Sequence, residues 1–469
     1  MSGPRPEAPT ASVGGAARVH VLKVLLLATP VLIALSPLVP SLVQGQLPFP
    51  VYGPFVLALI LLLSSGGVVP RHRGPASFVV SALGWAAAVT ALLGAVAVAW
   101  APSLSDAVRE EVAVGVSLWA AWALARALPA SPRILQWSLT GWTAVWALVL
   151  AGATAEFVRG TPLLTTTQSY LSFSHHLGSS AGYTYVASLL GNPNDLAGFL
   201  LTVTPLVLAL AVLKSRRHWF VVGIFAFAVA CVWSGSRSAL GALIPFVIVM
   251  LLCRPRTSAP ARQRQLGVLG GSLAAAAAVV AVLALSTVVQ SAIAHLFAPF
   301  GDNVASQDQA RAGWSAWAWD QAVRNHAIFG AGPGSFESYA SSVGFRTNLH
   351  NSLLEIGFQY GLLSMGVVVV ALGLVVLTGA RAALTSGARQ SAAVGALGAL
   401  SVVGLVVWSF TSSSILMNGF WGLALGNAAG LAVLALARRG RDSLGCEPQN
   451  DRRGRALSPG GRTLTTRSH

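Results

Sequence analysis

Runs of apolar residues about 18 to 25 long recur from one end of the chain to the other, the length a helix needs to cross a hydrocarbon core about 30 Å thick. Short polar joints separate them. The runs lack the period-two alternation of a barrel strand, and a helix satisfies its own backbone groups in lipid, so each reads as a transmembrane helix. The length rule gives about twelve: residues 21–38, 51–69, 77–100, 112–128, 134–154, 196–213, 219–233, 238–253, 266–289, 352–378, 392–410 and 420–437. The predicted fold class is all-α, a polytopic integral membrane protein with about 12 transmembrane helices and a large extracytoplasmic loop that contains short helices.

Two joints are long, 155–193 and 290–351, and long loops in compact proteins are more often functional than idle. The predicted order is a cytoplasmic tail over 1–18, five spans within 19–154, an outward loop over 155–193 and four spans within 194–289. A large outward loop over 290–351, three spans within 352–437 and a basic cytoplasmic tail over 438–469 complete it. The leader has no small-residue cleavage site, so the first span is read as an uncleaved anchor.

Composition agrees with this reading: 54% of residues are hydrophobic, 9% are charged and the mean hydropathy is +0.68. The net charge of +16 raises the question of nucleic acid. The basic residues, however, sit in alternate loops, the distribution that membrane insertion leaves behind, and no nucleic-acid partner is expected. Placing the N-terminus inside puts Arg71, Arg73, Arg126, Arg133, Lys214, Arg216, Arg217, Arg381 and Arg389 in the cytoplasm, with the arginines of the tail. The tail is poor in apolar residues, reads as disordered and suits anionic lipid headgroups. Arg109, Arg159, Arg237, Arg311, Arg324 and Arg346 are left on the outer side, where they are not topology signals. Cys231, Cys253 and Cys446 lie in a span, at a cytoplasmic helix end and in the tail, which implies no disulfide framework.

The first long loop carries Tyr170, His175, His176, Tyr183 and Tyr185 and ends on GNPNDLAG, 191–198, where Asn194 or Asp195 is expected to cap the next span after the turn at Pro193. The second opens with an interfacial stretch, 293–300, and continues as a predicted helix over 307–325. Arg311, Trp314 and Trp317 fall on one side of that helix, and Asp320 stands four residues before Arg324. Such a helix suits the membrane surface, with its tryptophans at headgroup depth. GAGPGSF, 330–336, has no preceding strand and no following ribose-binding acid, so it is a tight turn rather than a nucleotide loop. In HNSLLEIGFQYG, 350–361, residues Asn351, Glu355 and Gln359 recur every fourth position as one polar stripe entering an apolar span. A carboxylate inside a membrane helix is costly and faces a partner or an aqueous cavity; Arg237, in WSGSRSALGAL, is a candidate partner, or else snorkels to the interface.

The acidic residues include no Asp-x-Asp pair and no His-Glu-x-x-His motif, and the chain has no phosphate-cradling glycine loop, so neither a divalent metal, ATP nor another cofactor is called for. Arginine forks suit phosphate oxygens. Outside the membrane, a transferase needs a donor already activated on a lipid. A glycan on a polyprenyl diphosphate meets that need, and a histidine of near-neutral pKa, His350 being best placed, would take the proton of an acceptor hydroxyl.

Taken in order, GNPNDLAG, then GSRSALGAL (235–243), then Arg311 and Trp314 leading to FGAGPGSF, then HNSLLEIGFQYGLL, resemble the O-antigen ligase and polymerase superfamily of bacterial envelope glycosyltransferases. The resemblance covers about 191–363. It implies transfer of a glycan from a polyprenyl-diphosphate donor to a lipid or glycan acceptor, beside membrane lipids, in a bacterial cytoplasmic membrane. By motif, Arg237 would bind the donor diphosphate, Arg311 would assist, His350 would be the base, and Asn351 and Glu355 would position it. Asn194, in GNPNDLAG, is a further candidate substrate contact, as are Arg159 and Arg346, which no firm motif supports. Heavy Ala, Val, Gly and Arg usage suggests a high-GC bacterium, and one without lipopolysaccharide would polymerise or attach an envelope polysaccharide other than O-antigen. A lipid-linked oligosaccharide flippase is the alternative; it would show matching broken-helix repeats, and none is visible. A non-catalytic scaffold would not need His350 or Arg237.

Overall fold

Helix punctuation in the sequence sets the element boundaries in the computed structural model, which describes residues 13–38, 49–64, 76–164, 186–253, 302–342, 351–386, 388–411, 416 and 418–443. The helices are α1 (Val13–Leu35), α2 (Phe49–Ser64), α3 (Ala76–Ala97), α4 (Leu104–Ala127), α5 (Pro132–Arg159), α6 (Pro193–Leu213) and α7 (Arg217–Ser234). They continue as α8 (Arg237–Leu252), α9 (Asp302–Arg324), α10 (Phe336–Ser342), α11 (Ser352–Tyr360), α12 (Leu362–Thr385), α13 (Arg389–Thr411) and α14 (Phe420–Ser443). Ser103 caps α4 by accepting from Asp106 N, and α5 starts on Ser131 with Pro132 behind it and stops at Gly160, φ +66°. The cap of α6 is Asn192, not Asn194 or Asp195. Its side chain accepts from Asn194 N at 2.8 Å, and Pro193 takes the first helical position, where its missing N–H costs nothing.

Among the described residues, nine helical stretches are long and apolar enough to cross a membrane, and the shorter apolar helices Tyr52–Ser64 and Ala242–Leu252 coincide with two more of the expected spans. The expected span 266–289, the stretch 293–300, the loop residues Tyr170, His175, His176, Tyr183 and Tyr185, and Arg346 and His350 lie outside the described residues. The expected span 352–378 is two helices, α11 and α12, broken at Gly361 with φ +87°. α14 runs on to Ser443, into the segment read from sequence as tail.

The core sits around α6 and α14, of whose 18-residue apolar windows 94% and 89% is buried against 33% for α12. α13 packs against both, α4 against α14, and α3 against α4 and α12. Outward-facing Leu61, Phe78, Trp85, Leu92, Ile244, Leu377 and Leu384 leave large apolar side chains exposed around the bundle, a surface that lipid covers. Two pairs of polar side chains inside it hydrogen-bond across helices: Ser138 Oγ donates to Asn427 Oδ1 at 2.7 Å, and Trp146 Nε1 to Thr204 Oγ1 at 3.0 Å. Helix backbones meet closely at small residues, as membrane packing requires; a Cβ at Gly422 of α14 would run into the Ser117 backbone of α4.

Chain direction sorts the helix ends. Arg126, Arg133, Lys214, Arg216, Arg217, Arg381 and Arg389 lie at one end of the bundle, where Gln390 Nε2 donates to Val212 O at 3.2 Å. The other end, called the far end below, is where α3, α5 and α7 finish and α4, α6, α8 and α14 begin.

Candidate functional site

The polar stripe of α11 is real, and it faces a loop. Asn351 caps the helix, its Oδ1 accepting from Leu354 N at 3.1 Å. One turn on, the buried Glu355 carboxylate accepts from Gln359 Nε2 at 3.0 Å, and Gln359 Oε1 in turn accepts from Gly334 N at 2.5 Å. The helix ends because Gly361 turns the backbone away. Its last carbonyls would be stranded in the interior, but the 327–334 loop meets them: Phe358 O accepts from Ala331 N at 2.8 Å and Gln359 O from Gly332 N at 3.1 Å. The chain re-enters with Leu362 N donating to Ala327 O at 2.8 Å. Gly330 (φ +75°) and Gly361 face opposite strands of this junction; a Cβ on the first would strike the Gln359 carbonyl and on the second that of Ile328. The α3–α4 corner closes the far side through Trp100 Nε1, which donates to Gly330 O at 3.1 Å.

Under this junction lies a group of carboxylates that the sequence reading passed over. Glu110 of α4 is buried, and Gly94 of α3 leaves the room in which the Glu111 carboxylate and the Tyr360 ring lie side by side. The Tyr360 hydroxyl is fully buried and has no hydrogen-bond partner among the described residues.

Above the junction, Phe358 is the hub of an aromatic cluster. Trp317 lies 5.8 Å from it, Phe336 5.6 Å, Tyr339 5.7 Å and His326 5.6 Å between ring centroids. Trp314 and Trp317, expected at headgroup depth, are half-buried against the cluster of Phe336 and Phe358, the apolar partner that α10 and α11 offer. The expected pair on that helix is present, Arg324 Nε meeting Asp320 Oδ1 at 2.6 Å, and Arg109 Nη2 pairs with Asp106 Oδ1 at 3.2 Å. Burial holds the His326 imidazole below its ordinary value of 6.5, so the cluster favours the neutral ring. The unfolded chain therefore binds more protons, and the His326 contribution to stability is complete above pH 6.5 and lost as pH falls through the folded value. Thermal unfolding followed from pH 8 to 5 should show this loss in the native chain and not in His326→Phe, which keeps the ring contacts.

The second half of the far end is built on α5. Glu156, in its last turn, is buried and accepts from Leu163 N at 2.8 Å, Ala187 N at 2.8 Å and Ser188 N at 2.6 Å. Arg159 follows it, exposed. Val186 N donates to Trp233 O at 3.1 Å, and the Phe157 ring stacks on the Trp233 indole at 4.4 Å. Trp233 leads through the turn at Gly235 to Arg237, the first residue of α8. Asn194 lies in the first turn of α6, a few residues from Ser188. Arg159, Asn194 and the backbone of Arg237 thus lie at helix ends on the same end of the bundle as Glu156, and Asn351 and Glu355 lie at the head of α11. Arg311 lies in the first half of α9.

The far end of α13 links the two halves. Trp408 Nε1 donates to Asp195 Oδ1 at 3.0 Å, while Ser409 lines a small apolar pocket with Ser352, Ile356, Leu372, Leu405 and Trp421. Among the described residues no group of three or more His, Cys, Asp or Glu side chains is disposed to hold a metal ion. The sequence signal for Glu110, Glu111 and Glu156 was available: each is a carboxylate within or at the edge of an apolar run, the context that flags function or a hidden partner. Two comparisons with known proteins bear on this end of the bundle. The O-antigen ligase family model matches residues 220–369, from α7 to α12, and no curated protein matches the chain.

Proposed function

We propose, from the match of residues 220–369 to the O-antigen ligase family model, that this chain is a membrane glycosyltransferase moving a glycan from a polyprenyl-diphosphate donor to an acceptor outside the cytoplasm. The observation that carries the proposal is that the matched segment holds both the arginine-headed helix α8 and the polar-headed helix α11, and both heads lie at the end opposite the basic joints. The N- and C-termini are then cytoplasmic, in a bacterial inner membrane.

Arg237 and Arg311 bind the donor diphosphate, with Arg159, Arg346 and Asn194 at its edge. The acceptor oxygen attacks the anomeric carbon, the bond from that carbon to the diphosphate oxygen breaks, and the polyprenyl diphosphate leaves with the bonding pair. His350 takes the acceptor proton, and Asn351 and Glu355 hold the helix head that presents it. Arginine charge stabilises the leaving group in place of a divalent metal.

The test is the purified protein in liposomes carrying a lipid-linked oligosaccharide and an acceptor. The expected result is a new glycosidic bond and released polyprenyl diphosphate, at a rate that chelation of divalent metals leaves unchanged. Passage of intact donor between leaflets with no bond formed would replace this reading with the flippase. A rate abolished by chelation and restored by a divalent metal would refute metal independence.

A further inference from the structure

The strongest feature at the far end that the reaction above leaves unused is Glu156. A buried carboxylate is costly unless its lone pairs are met by strong donors. Three backbone N–H groups meet this one, and they come from two separate pieces of chain: Leu163 on Oε1, and Ala187 with Ser188 on Oε2. One side chain therefore ties both feet of the outward segment between α5 and α6. Ser188 is held in a left-handed conformation, φ +56°, and its Oγ donates to Val149 O at 2.6 Å. A serine keeps such a conformation only where its surroundings over-determine it.

The second foot also supports α7. Val186, next to the two residues on Oε2, donates to the Trp233 carbonyl, and Phe157, next to Glu156, stacks on the same indole at 14° between planes. Beyond Trp233 the turn closes on itself: Ser234 Oγ donates to Cys231 O at 2.7 Å, Ser236 N to Ser234 Oγ at 3.3 Å and Gly235 N to Val232 O at 3.1 Å. Arg237 is the next residue.

We infer that Glu156 is a positioning residue: through Val186 and Trp233 it fixes the turn that carries Arg237, and so sets where the donor diphosphate is bound. The inference rests on the reading of Arg237 as a diphosphate ligand. Glutamine is the informative replacement, because its single acceptor oxygen serves either Leu163 or the Ala187–Ser188 pair and leaves the other foot facing an amide NH₂. Misplacement of a binding group by about 1 Å costs on the order of 10²-fold.

The experiment measures steady-state transfer in liposomes for Glu156→Gln, Arg237→Ala and the double variant, with a nitroxide attached at Ser236→Cys reporting the turn's mobility in the native and Glu156→Gln backgrounds. The expected result is a mobile nitroxide, a donor KM raised about 10- to 100-fold with the acceptor KM unchanged, and a double variant no worse than Arg237→Ala alone. An immobile nitroxide in Glu156→Gln, or losses that add in the double variant, overturns the inference, as does a variant that is only less heat-stable. A mobile nitroxide with the donor KM unchanged in both Glu156→Gln and Arg237→Ala would retain the positioning of the turn and reject Arg237 as the diphosphate ligand, so the two failures are distinguishable.

Discussion

Replacement of His350 by alanine is expected to slow glycan transfer by about 10²- to 10⁴-fold, the usual worth of a positioned general base. The argument is chemical. A sugar or lipid hydroxyl is a weak nucleophile at neutral pH, and the polyprenyl diphosphate is a leaving group that needs no protonation, so the proton on the acceptor is the one that has to be moved. His350 directly precedes Asn351, the cap of α11, in the only His-Asn pair of the sequence. The loss should fall on kcat, with the donor KM close to the native value, because the proposed diphosphate ligands are arginines on other elements. Single-turnover transfer in liposomes, with donor binding measured in parallel, checks this. Unchanged turnover would remove His350 from the mechanism, and unchanged turnover together with a raised donor KM would move it to the binding site.

The second large effect is structural. Gly361→Val is expected to destabilise the fold by roughly 3–5 kcal/mol, summing the cost of a left-handed non-glycine residue with that of overpacking. The new side chain would have to occupy the place of the Ile328 carbonyl, which pushes the 327–334 loop off the end of α11 and exposes the Phe358 and Gln359 carbonyls to an apolar interior. Gly366→Ala on the same α12 helix meets open space and serves as the control. Denaturant unfolding in detergent should separate the two variants clearly; an equal response would mean that the junction at Gly361 tolerates a side chain.

Much of this arrangement was legible in the sequence, and the parts that were not share a cause. Periodicity reports which residues lie on one face of a helix, so the stripe Asn351, Glu355 and Gln359 and the pair Asp320 and Arg324 could be read before any coordinates. It does not report what the face meets. Gly334, the acceptor's partner on Gln359, is 25 positions away in sequence, and Trp314 and Trp317 look alike whether they rest on headgroups or on Phe336 and Phe358. The break at Gly361 was hidden because a single glycine in an apolar run is as compatible with a continuous membrane helix as with a broken one. Glu156, at the edge of an apolar run and beside Arg159 at a helix end, is flagged by its sequence context, but the context does not name its partners: the three backbone donors come from residues 7 to 32 positions away. The cap of α6 is a different kind of miss: Pro193 at the first helical position already pointed to Asn192.

The way α11 is finished off also constrains how the protein is made. A nine-residue helix carrying a carboxylate and a carboxamide is too short and too polar to enter a bilayer by itself. The N–H groups that complete it belong to residues 331, 332 and 334, which leave the ribosome about 25 residues before their partners, a delay of roughly one to five seconds at ordinary elongation rates. The loop is thus translated before the helix it caps, and the order of synthesis supplies a template on which α11 can dock as soon as it emerges.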